Sequence, residues 1–214
     1  MTFAPVLAAA ALVDRDHIAG TGGVRARWDE LRVPPPGDGR TFRALFGRSD
    51  ETFRRLDVAS RALVLACEAL GLDRVLPEGD RDRTALVVAT SLGCLDADRQ
   101  FARSLGAEML DAPIFPYTLP STCVGEIALR HGLRGPGICL SVPPAEHGLA
   151  FAEAVGLLAG GEADAVVAAT IDVARTDPST CEVAVALLTL PRHDAPGWTA
   201  WQADPLAAIR HALA

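Results

Sequence analysis

The sequence predicts an α/β fold built on a five-stranded, mostly parallel mixed sheet with helices on both faces. Segments of strand composition alternate along the chain with segments of helical periodicity, which is typical of layered domains with parallel strands. Residues 84–90 and 165–171 are continuous apolar runs, and strands have this composition when helices cover both faces of their sheet. Half of the 214 residues are hydrophobic, so the chain can bury a substantial core.

The first third of the chain is predicted to contain one strand and two helices. Residues 6–13 are apolar and follow no basic segment, so we interpret them as a strand rather than a signal peptide. Glycines and a run of prolines in residues 14–39 predict a loop, which either has a function, packs on a partner or is disordered. Helices are predicted over 40–46 and 51–70. Apolar residues recur at helical spacing in the second: Leu56, Ala59, Leu63, Cys67 and Leu70.

The middle of the chain is predicted to form a strand and two further helices. A buried strand over 84–90 leads through a tight turn at 91–93 into a helix over 95–105. Three prolines keep the following segment, including 112–118, extended or looped. Ser121 or Thr122 then caps a helix that ends at His131.

The most informative stretch is a strand that turns sharply into a helix. Residues 138–142 form a short apolar strand, which Pro143 ends, and Pro144 is suited to the first turn of a helix. The helix over 145–159 is apolar almost all round, so we expect it to be buried on both sides. Enzymes place nucleophiles at such turns, because a helix start offers free N–H groups and a positive dipole end. Val142 and the two prolines cannot attack a substrate. The sequence therefore predicts the turn of a nucleophile site but no nucleophile in it.

The last part of the chain completes the sheet. The strand over 165–171 is followed by a polar loop and by a closing strand over 181–190. A short helix is predicted to start at Asp204 and Pro205.

Two motifs carry a resemblance to a known family. GLRGP at residues 132–136 and GEADAVVAA at 161–169, on either side of the strand–turn–helix, resemble the N-terminal half of a β-ketoacyl synthase of the thiolase-like superfamily. The resemblance covers residues 84–174 and implies half of a thiolase-like fold. Aligned without gaps, the Thr-Ala-Cys nucleophile elbow of that family falls on Val142, Pro143 and Pro144.

The resemblance also implies a domain organisation and a role. Residues 1–190 would form the ketosynthase-like domain, and residues 191–214 a C-terminal extension packed on it. The second half of the family, which supplies two His (or His and Asn) for decarboxylation, has no counterpart in these 214 residues. The chain therefore resembles a half-sized chain-length factor of the kind found in aryl polyene pathways. It would be a pseudoenzyme that pairs with a full-length ketosynthase, as a heterodimer or heterotetramer, and shapes its acyl tunnel.

The same resemblance implies the residues that would face the partner and its acyl tunnel. The segment 119–124 matches the part of the family that lies at the dimer interface and reaches towards the acyl pocket of the partner. Phe115, Tyr117 and Leu119 are the bulky candidates for closing the tunnel. The full set is Phe115, Tyr117, Leu119, Ser121, Thr122, Cys123, Val124, Cys139 and Ser141. Better-known chain-length factors often carry Gln at the nucleophile position, and Pro144 is a departure from that pattern.

Composition restricts the partners. A net charge of −7 argues against nucleic acid as a partner, because phosphate binding needs a basic face. No apolar run is long enough to span a membrane, and the five cysteines form no C-x-x-C pair, which fits a reducing cytoplasm. We find no phosphate-binding glycine loop and predict neither a metal nor a cofactor. Acyl carrier proteins are generally acidic, so we expect the carrier to dock mainly on the catalytic partner.

Two alternatives stay open. A stand-alone half could act on acyl thioesters through Cys123 or Cys139, with His131 or His147 as its base. Cys123 begins a helix, where a thiolate is stabilised, but packing roles for both cysteines and a polar contact for His147 are the simpler interpretations. A self-associating half-domain that binds an acyl group without chemistry is the other alternative.

Overall fold

A computed structural model describes residues 5–33, 35–106, 109–174, 177–190, 199–200 and 205–214. They form one mixed sheet with helices on both of its faces, as the sequence predicts. The strands are β1 (Val6–Asp14), β2 (His17–Gly20), β3 (Arg25–Arg27), β4 (Thr84–Thr90), β5 (Gly137–Ser141), β6 (Ala165–Ala174), β7 (Asp177–Thr189) and β8 (Thr199–Ala200). Their order is β3-β2-β1-β7-β6-β4-β5, and β8 also pairs with β1.

All five predicted strands are present, but the sheet is larger and less parallel than predicted. The short strands β2, β3 and β8 extend it on the β1 side. The β4–β5 and β4–β6 ladders are parallel, whereas β1–β7 and β6–β7 are antiparallel. The parallel ladders lie at the β5 end of the sheet, where β5 forms the edge.

The helices lie between the strands in the predicted order. They are α1 (Trp28–Leu31), α2 (Gly39–Phe46), α3 (Val58–Leu70), α4 (Leu72–Val75), α5 (Leu95–Ser104), α6 (Thr122–His131), α7 (Leu149–Ala159) and α8 (Pro205–Leu213). Short 3₁₀ turns cover residues 53–55, 78–83, 112–118 and 144–146. Within the described residues, no helix has both the length and the apolar character needed to cross a membrane.

Three local expectations were wrong. The predicted loop 14–39 contains β2, β3 and α1, held to β1 by the antiparallel ladder and by the buried Trp28, whose Nε1 donates to the Asp14 carbonyl at 2.7 Å. The helix predicted from residue 51 begins at Val58, because Asp57 caps it and accepts hydrogen bonds from two backbone N–H groups. Residues 112–118 form a 3₁₀ helix rather than an extended segment.

Two hydrophobic cores lie on opposite faces of the sheet. Helices α3 and α6 cover one face, where alternate residues of β4, β6 and β7 pack on them. Helices α7 and α8 cover the other face and contact the remaining residues of the same strands. A β-bulge between Leu7 and Ala9 shifts the alternation of β1, so Leu7 and Ala10 both face α7 and α8 while Ala9 faces α3.

Helix α7 is buried on one side, not on both. Ala150, Phe151 and Ala154 are buried against β4 and β6. The opposite side of the helix, with Leu149 and Ala152, is exposed, since no described residue forms a layer over it. An apolar helix sequence shows that both sides tolerate burial, but it does not reveal whether a second layer is present.

Helix α8 packs beside α7 on the same face of the sheet. Ala208 and Ile209 are buried against β1 and β7. Arg210 Nη2 lies 3.8 Å from Oε1 of Glu182 on β7. Arg25 on β3 donates to the carbonyl of Leu213. The predicted start of this helix at Asp204 and most of residues 191–204 lie outside the described part of the chain.

Replacing Ile209 tests how strongly α8 holds to the sheet. Ile209 is 0% exposed, so Ile209→Ala should lower the free energy of unfolding by about 2–5 kcal/mol through lost burial and the cavity it leaves. Leu206→Ala on the same helix removes a partly buried side chain and should cost less. Urea unfolding of the two purified variants measures both effects. Equal, small losses would mean that α8 is not held to the sheet in solution.

Candidate functional site

The candidate site lies at the carboxyl ends of three parallel strands. Strands β4, β5 and β6 are neighbours, and their carboxyl ends meet at one edge of the sheet. In α/β proteins this is the edge at which ligands bind. Three features come together there: the turn after β4 at Ser91, the elbow after β5 at Pro143 and Pro144, and the carboxylate of Asp172 on β6.

Asp172 is the centre of a hydrogen-bond network at this edge. Its Oδ1 accepts from the backbone N–H groups of Ser91 and Leu92, at 2.9 and 3.0 Å, and from Thr90 Oγ1 at 3.1 Å. Its Oδ2 accepts from the hydroxyl of Ser91. Because the carboxylate receives four donors, it holds the turn after β4 in place.

The elbow after β5 is tied to the same turn. The backbone N–H of Val142 donates to the carbonyl of Thr90 at 3.0 Å. Pro143 and Pro144 then lie exposed, and a single 3₁₀ turn follows over 144–146. Helix α7 starts at Leu149, later than the predicted 145. The elbow therefore presents neither a nucleophile nor the first N–H groups of a helix.

His147 follows the elbow and faces Asp172. Its Nε2 lies 3.3 Å from Asp172 Oδ2, although without the angle of a hydrogen bond, and both side chains are largely buried. His147, Pro144 and Asp172 line one side of a cavity of about 620 Å³. Leu206 and Arg210 of α8 line the other side.

Four of the predicted tunnel residues lie around a second, very narrow cleft. Tyr117, Leu119, Thr122 and Cys123 line it together with the turn after β4. The cleft has a volume of about 10 Å³, so it is too small for an acyl chain. Tyr117 is partly buried against the core, and burial raises the pKa of its hydroxyl.

Of the two candidate thiols, Cys123 is buried and Cys139 is partly buried, and neither is activated. Burial raises the pKa of Cys123 and that of Cys139 above the ordinary thiol value. The Sγ of Cys123 lies 3.2 Å from the carbonyl of Pro120, to which it donates. Both cysteines belong to the core on the α3 and α6 face, whereas His147 lines the cavity beside α8. The structure therefore places neither thiol in the cavity that His147, one of the two predicted bases, lines.

The remaining predicted interface residues are divided between surface and core. Ser121 and Ser141 are exposed, and Phe115 is 60% exposed and packs on Phe101 with a ring separation of 5.3 Å. Val124 is buried and packs close to Gly137 on β5, where a Cβ would lie 3.1 Å from it. Between the end of α5 and the start of α6, five of the described residues have large hydrophobic side chains that are exposed, and we call them the apolar segment: Leu105, Met109, Leu110, Phe115 and Leu119.

His131, the other base named for the enzyme alternative, lies in a structural cluster. Its Nδ1 is 3.1 Å from Asp73 Oδ1, and its carbonyl accepts from Arg81 Nη1 at 3.1 Å. The ring is buried beneath the end of α6. Among the described residues, no group of three or more His, Cys, Asp and Glu side chains is arranged to hold a metal ion.

Asp172 is the residue that sequence reasoning missed. It stands next to Ile171 in an otherwise apolar strand, and this single carboxylate in a covered strand was the available signal. Its partners lie 80 to 82 positions earlier in the chain, so spacing along the sequence could not connect them.

Comparisons with known proteins agree with this architecture. The family model for the beta-ketoacyl synthase N-terminal domain matches residues 32–195. A polyketide beta-ketoacyl synthase from Streptomyces virginiae is 28% identical over 160 residues, which cover 70% of this chain and 38% of that protein. The chain thus spans well under half the length of this curated relative.

Solved structures of low sequence identity share the fold. The ishigamide ketosynthase/chain length factor matches with a TM-score of 0.66 and 19% identity, over 90% of this chain and 63% of that one. A ketosynthase (ApeO) in complex with its chain length factor (ApeC) from Xenorhabdus doucetiae matches with a TM-score of 0.57 and 15% identity, over 90% of this chain and 81% of that one. From the family match over residues 32–195, the chain belongs to the beta-ketoacyl synthase family and contains its N-terminal domain.

Proposed function

We propose that this chain is a non-catalytic subunit that pairs with a full-length β-ketoacyl-carrier-protein synthase and shapes its acyl tunnel, as a chain-length factor does. The observation that carries the proposal is the elbow after β5, which is built and exposed but carries Pro143 and Pro144. A proline side chain cannot accept an acyl group, and its nitrogen has no N–H to stabilise an oxyanion.

Among the described residues, those around the elbow do not provide what activates a nucleophile. A catalytic cysteine gains acidity from a helix N-terminus or a neighbouring cation. Here α7 begins at Leu149, five residues after Pro144, and the His147 Nε2 faces Asp172. Cys123 is buried and Cys139 partly buried, both with raised pKa values, and they do not replace the missing thiol. The chemistry would come from the partner.

Two surface features favour a protein partner. Strand β5 is at the edge of the sheet, and its outward N–H and C=O groups can pair with a strand of another chain. The apolar segment adds exposed side chains that water solvates poorly, including Leu119 at 62% exposure and Phe115 at 60%. The α6 helix, which packs on β5, adds Leu129 at 85% exposure.

An acyl chain would then lie between the two subunits rather than inside this one. The cleft beside Cys123 has a volume of about 10 Å³, whereas Leu119 and Phe115 project from the surface. Leu119, Phe115 and the partly buried Tyr117 are the candidates for closing the tunnel of the partner. A packed wall of this kind limits product length, because displacing well-packed apolar side chains costs free energy.

The known relatives support the same pathway class. The similar structures include a ketosynthase/chain length factor and a ketosynthase bound to its chain length factor. The proposed products are polyketide or fatty-acid-like chains, with aryl polyenes as the nearest class. With a net charge of −7 on this subunit, an acidic carrier protein would dock on the ketosynthase partner.

Co-expression with a full-length ketosynthase from the same organism tests the pairing. We expect a heterocomplex of equal stoichiometry by size exclusion with light scattering, because association would pair the free edge of β5 and bury the apolar segment. Leu119→Arg should weaken association by about tenfold or more, since a charge replaces an apolar anchor. Val75→Arg, at an exposed apolar position on α4, is the matched control and should leave association unchanged. A stable homo-oligomer that ignores the ketosynthase would refute the pairing.

Changing the size of residue 119 tests the role in product length. In the assembled complex, Leu119→Ala should shift the products towards longer chains, because it removes bulk from the tunnel wall. Leu119→Trp should shift them towards shorter chains. Mass spectrometry of the released products gives the distribution, and Val75→Ala serves as the control. Identical product distributions for all three variants would mean that residue 119 does not control product length.

Thiol alkylation distinguishes this proposal from a cysteine enzyme. Burial raises the pKa of Cys94 and Cys181 to about 12 and moves Cys123 and Cys139 in the same direction. At pH 8 a thiol of pKa 12 is ionised to about one part in ten thousand. Iodoacetamide should therefore modify the folded chain ~100-fold more slowly than the urea-unfolded chain, and faster as pH rises. Rapid modification of Cys123 or Cys139 alone at neutral pH would instead favour the enzyme alternative.

A further inference from the structure

Asp172 is a buried carboxylate for which the proposed pairing has no direct use. Its side chain is 13% exposed, and it belongs to β6, where the neighbouring residues are apolar. A carboxylate in such a strand carries a desolvation cost that four donated hydrogen bonds offset. All four donors belong to residues 90–92, and His147 Nε2 also lies 3.3 Å from Oδ2.

The turn that Asp172 holds lies opposite the proposed tunnel wall, across the narrow cleft. The backbone N–H of Gly93 donates to Thr90 Oγ1 at 2.8 Å, and that hydroxyl donates in turn to Asp172. Gly93 has a φ of +55°, and a Cβ on it would lie 3.3 Å from Cγ of Pro120. Pro120 is the residue after Leu119. Gly93 therefore faces Pro120 at a distance that leaves no space for a side chain, and the carboxylate is linked to the wall through the turn and this close approach.

The segment with Leu119 is fixed to the rest of the fold by few bonds of its own. The N–H of Thr122 donates to the carbonyl of Leu119 at 3.0 Å, and the hydroxyl of Thr122 donates to the carbonyl of Pro116 at 2.6 Å. Both bonds lie within the segment. Its position relative to the sheet depends on the packing of Phe115 against Phe101 of α5 and on the narrow cleft, across which Gly93 faces Pro120.

We propose that Asp172 is a positioning residue that sets where Leu119 stands at the subunit interface, and through it the length of the product. This inference rests on the proposed function. The carboxylate orders the turn after β4, and the turn supports Pro120 and so the wall beside it. Asp172 touches neither the acyl chain nor the partner.

A carboxylate suits this position better than an amide. Two oxygens accept from the Ser91 hydroxyl on one side and from two N–H groups and Thr90 on the other. An amide keeps one accepting oxygen and must turn its NH₂ towards the Ser91 hydroxyl, which can reverse its own proton. Asp172→Asn therefore keeps most of the turn, Ser91→Ala removes one bond, and Asp172→Ala removes all four.

The test uses these variants within the complex with the ketosynthase. Glu182→Gln is the matched control, because Glu182 is the cross-strand neighbour of Asp172 and loses the same charge without holding the turn. Stoichiometry by light scattering, the unfolding midpoint and the product-length distribution are measured for each. We expect Ser91→Ala and Asp172→Ala to assemble but to spread the products, with the ratio of the main product to its neighbours falling at least threefold for Asp172→Ala. Asp172→Asn should lie between them and the wild type, and Glu182→Gln should match the wild type.

These outcomes distinguish a failure of this inference from a failure of the proposed function. Lower stability with an unchanged product ratio in Asp172→Asn and Ser91→Ala would overturn the positioning role, even if Asp172→Ala fails to fold. A wild-type chain that does not pair would overturn the proposed function itself, and Leu119 variants without effect on length would exclude Leu119 from length control and overturn this inference with it. Altered product ratios in Leu119 variants, together with wild-type ratios in all Asp172 and Ser91 variants, would contradict this inference and leave the proposed function intact.

Discussion

The fold depends on burying β4 and β6 on both faces. Every residue of β4 is buried, and most of β6 is too, because α3 and α7 lie on opposite sides of them. Many of these residues are alanines, which let helices approach closely but leave no space for polar side chains. Polar groups are therefore confined to the strand ends. The carboxyl ends of the parallel strands are where Thr90, Ser91 and Asp172 meet.

Much of this organisation could be predicted, since it follows from local pattern. The five main strands, α3 and the elbow appear as apolar runs and helical periodicity, and the GLRGP motif carries the family resemblance. Strands β2 and β3 could not be predicted, because their stability comes from pairing with β1 and with each other rather than from their own composition. The start of α3 was missed because the Asp57 cap outweighs the apolar pattern before it.

The candidate site was the least predictable part, because its contacts are remote in sequence. Cys123 was named for its place at a helix start, yet the fold buries it, and Tyr117 lies beneath the surface rather than on it. Asp172 was not named at all, since its role depends on a turn about 80 residues earlier. Local pattern indicates where a chain can be buried, whereas a site depends on which distant turns the sheet brings together.

The late start of α7 limits what a nucleophile at the elbow could do. A cysteine substituted for Pro144 would enter a 3₁₀ turn in which the N–H groups of Glu146 and His147 already donate to the carbonyls of Pro143 and Pro144. Such a thiol would lack a helix terminus to acidify it and a row of amides to receive an oxyanion. A cysteine elbow here would require replacing both prolines and adding another turn at the start of α7, so no single substitution would create one.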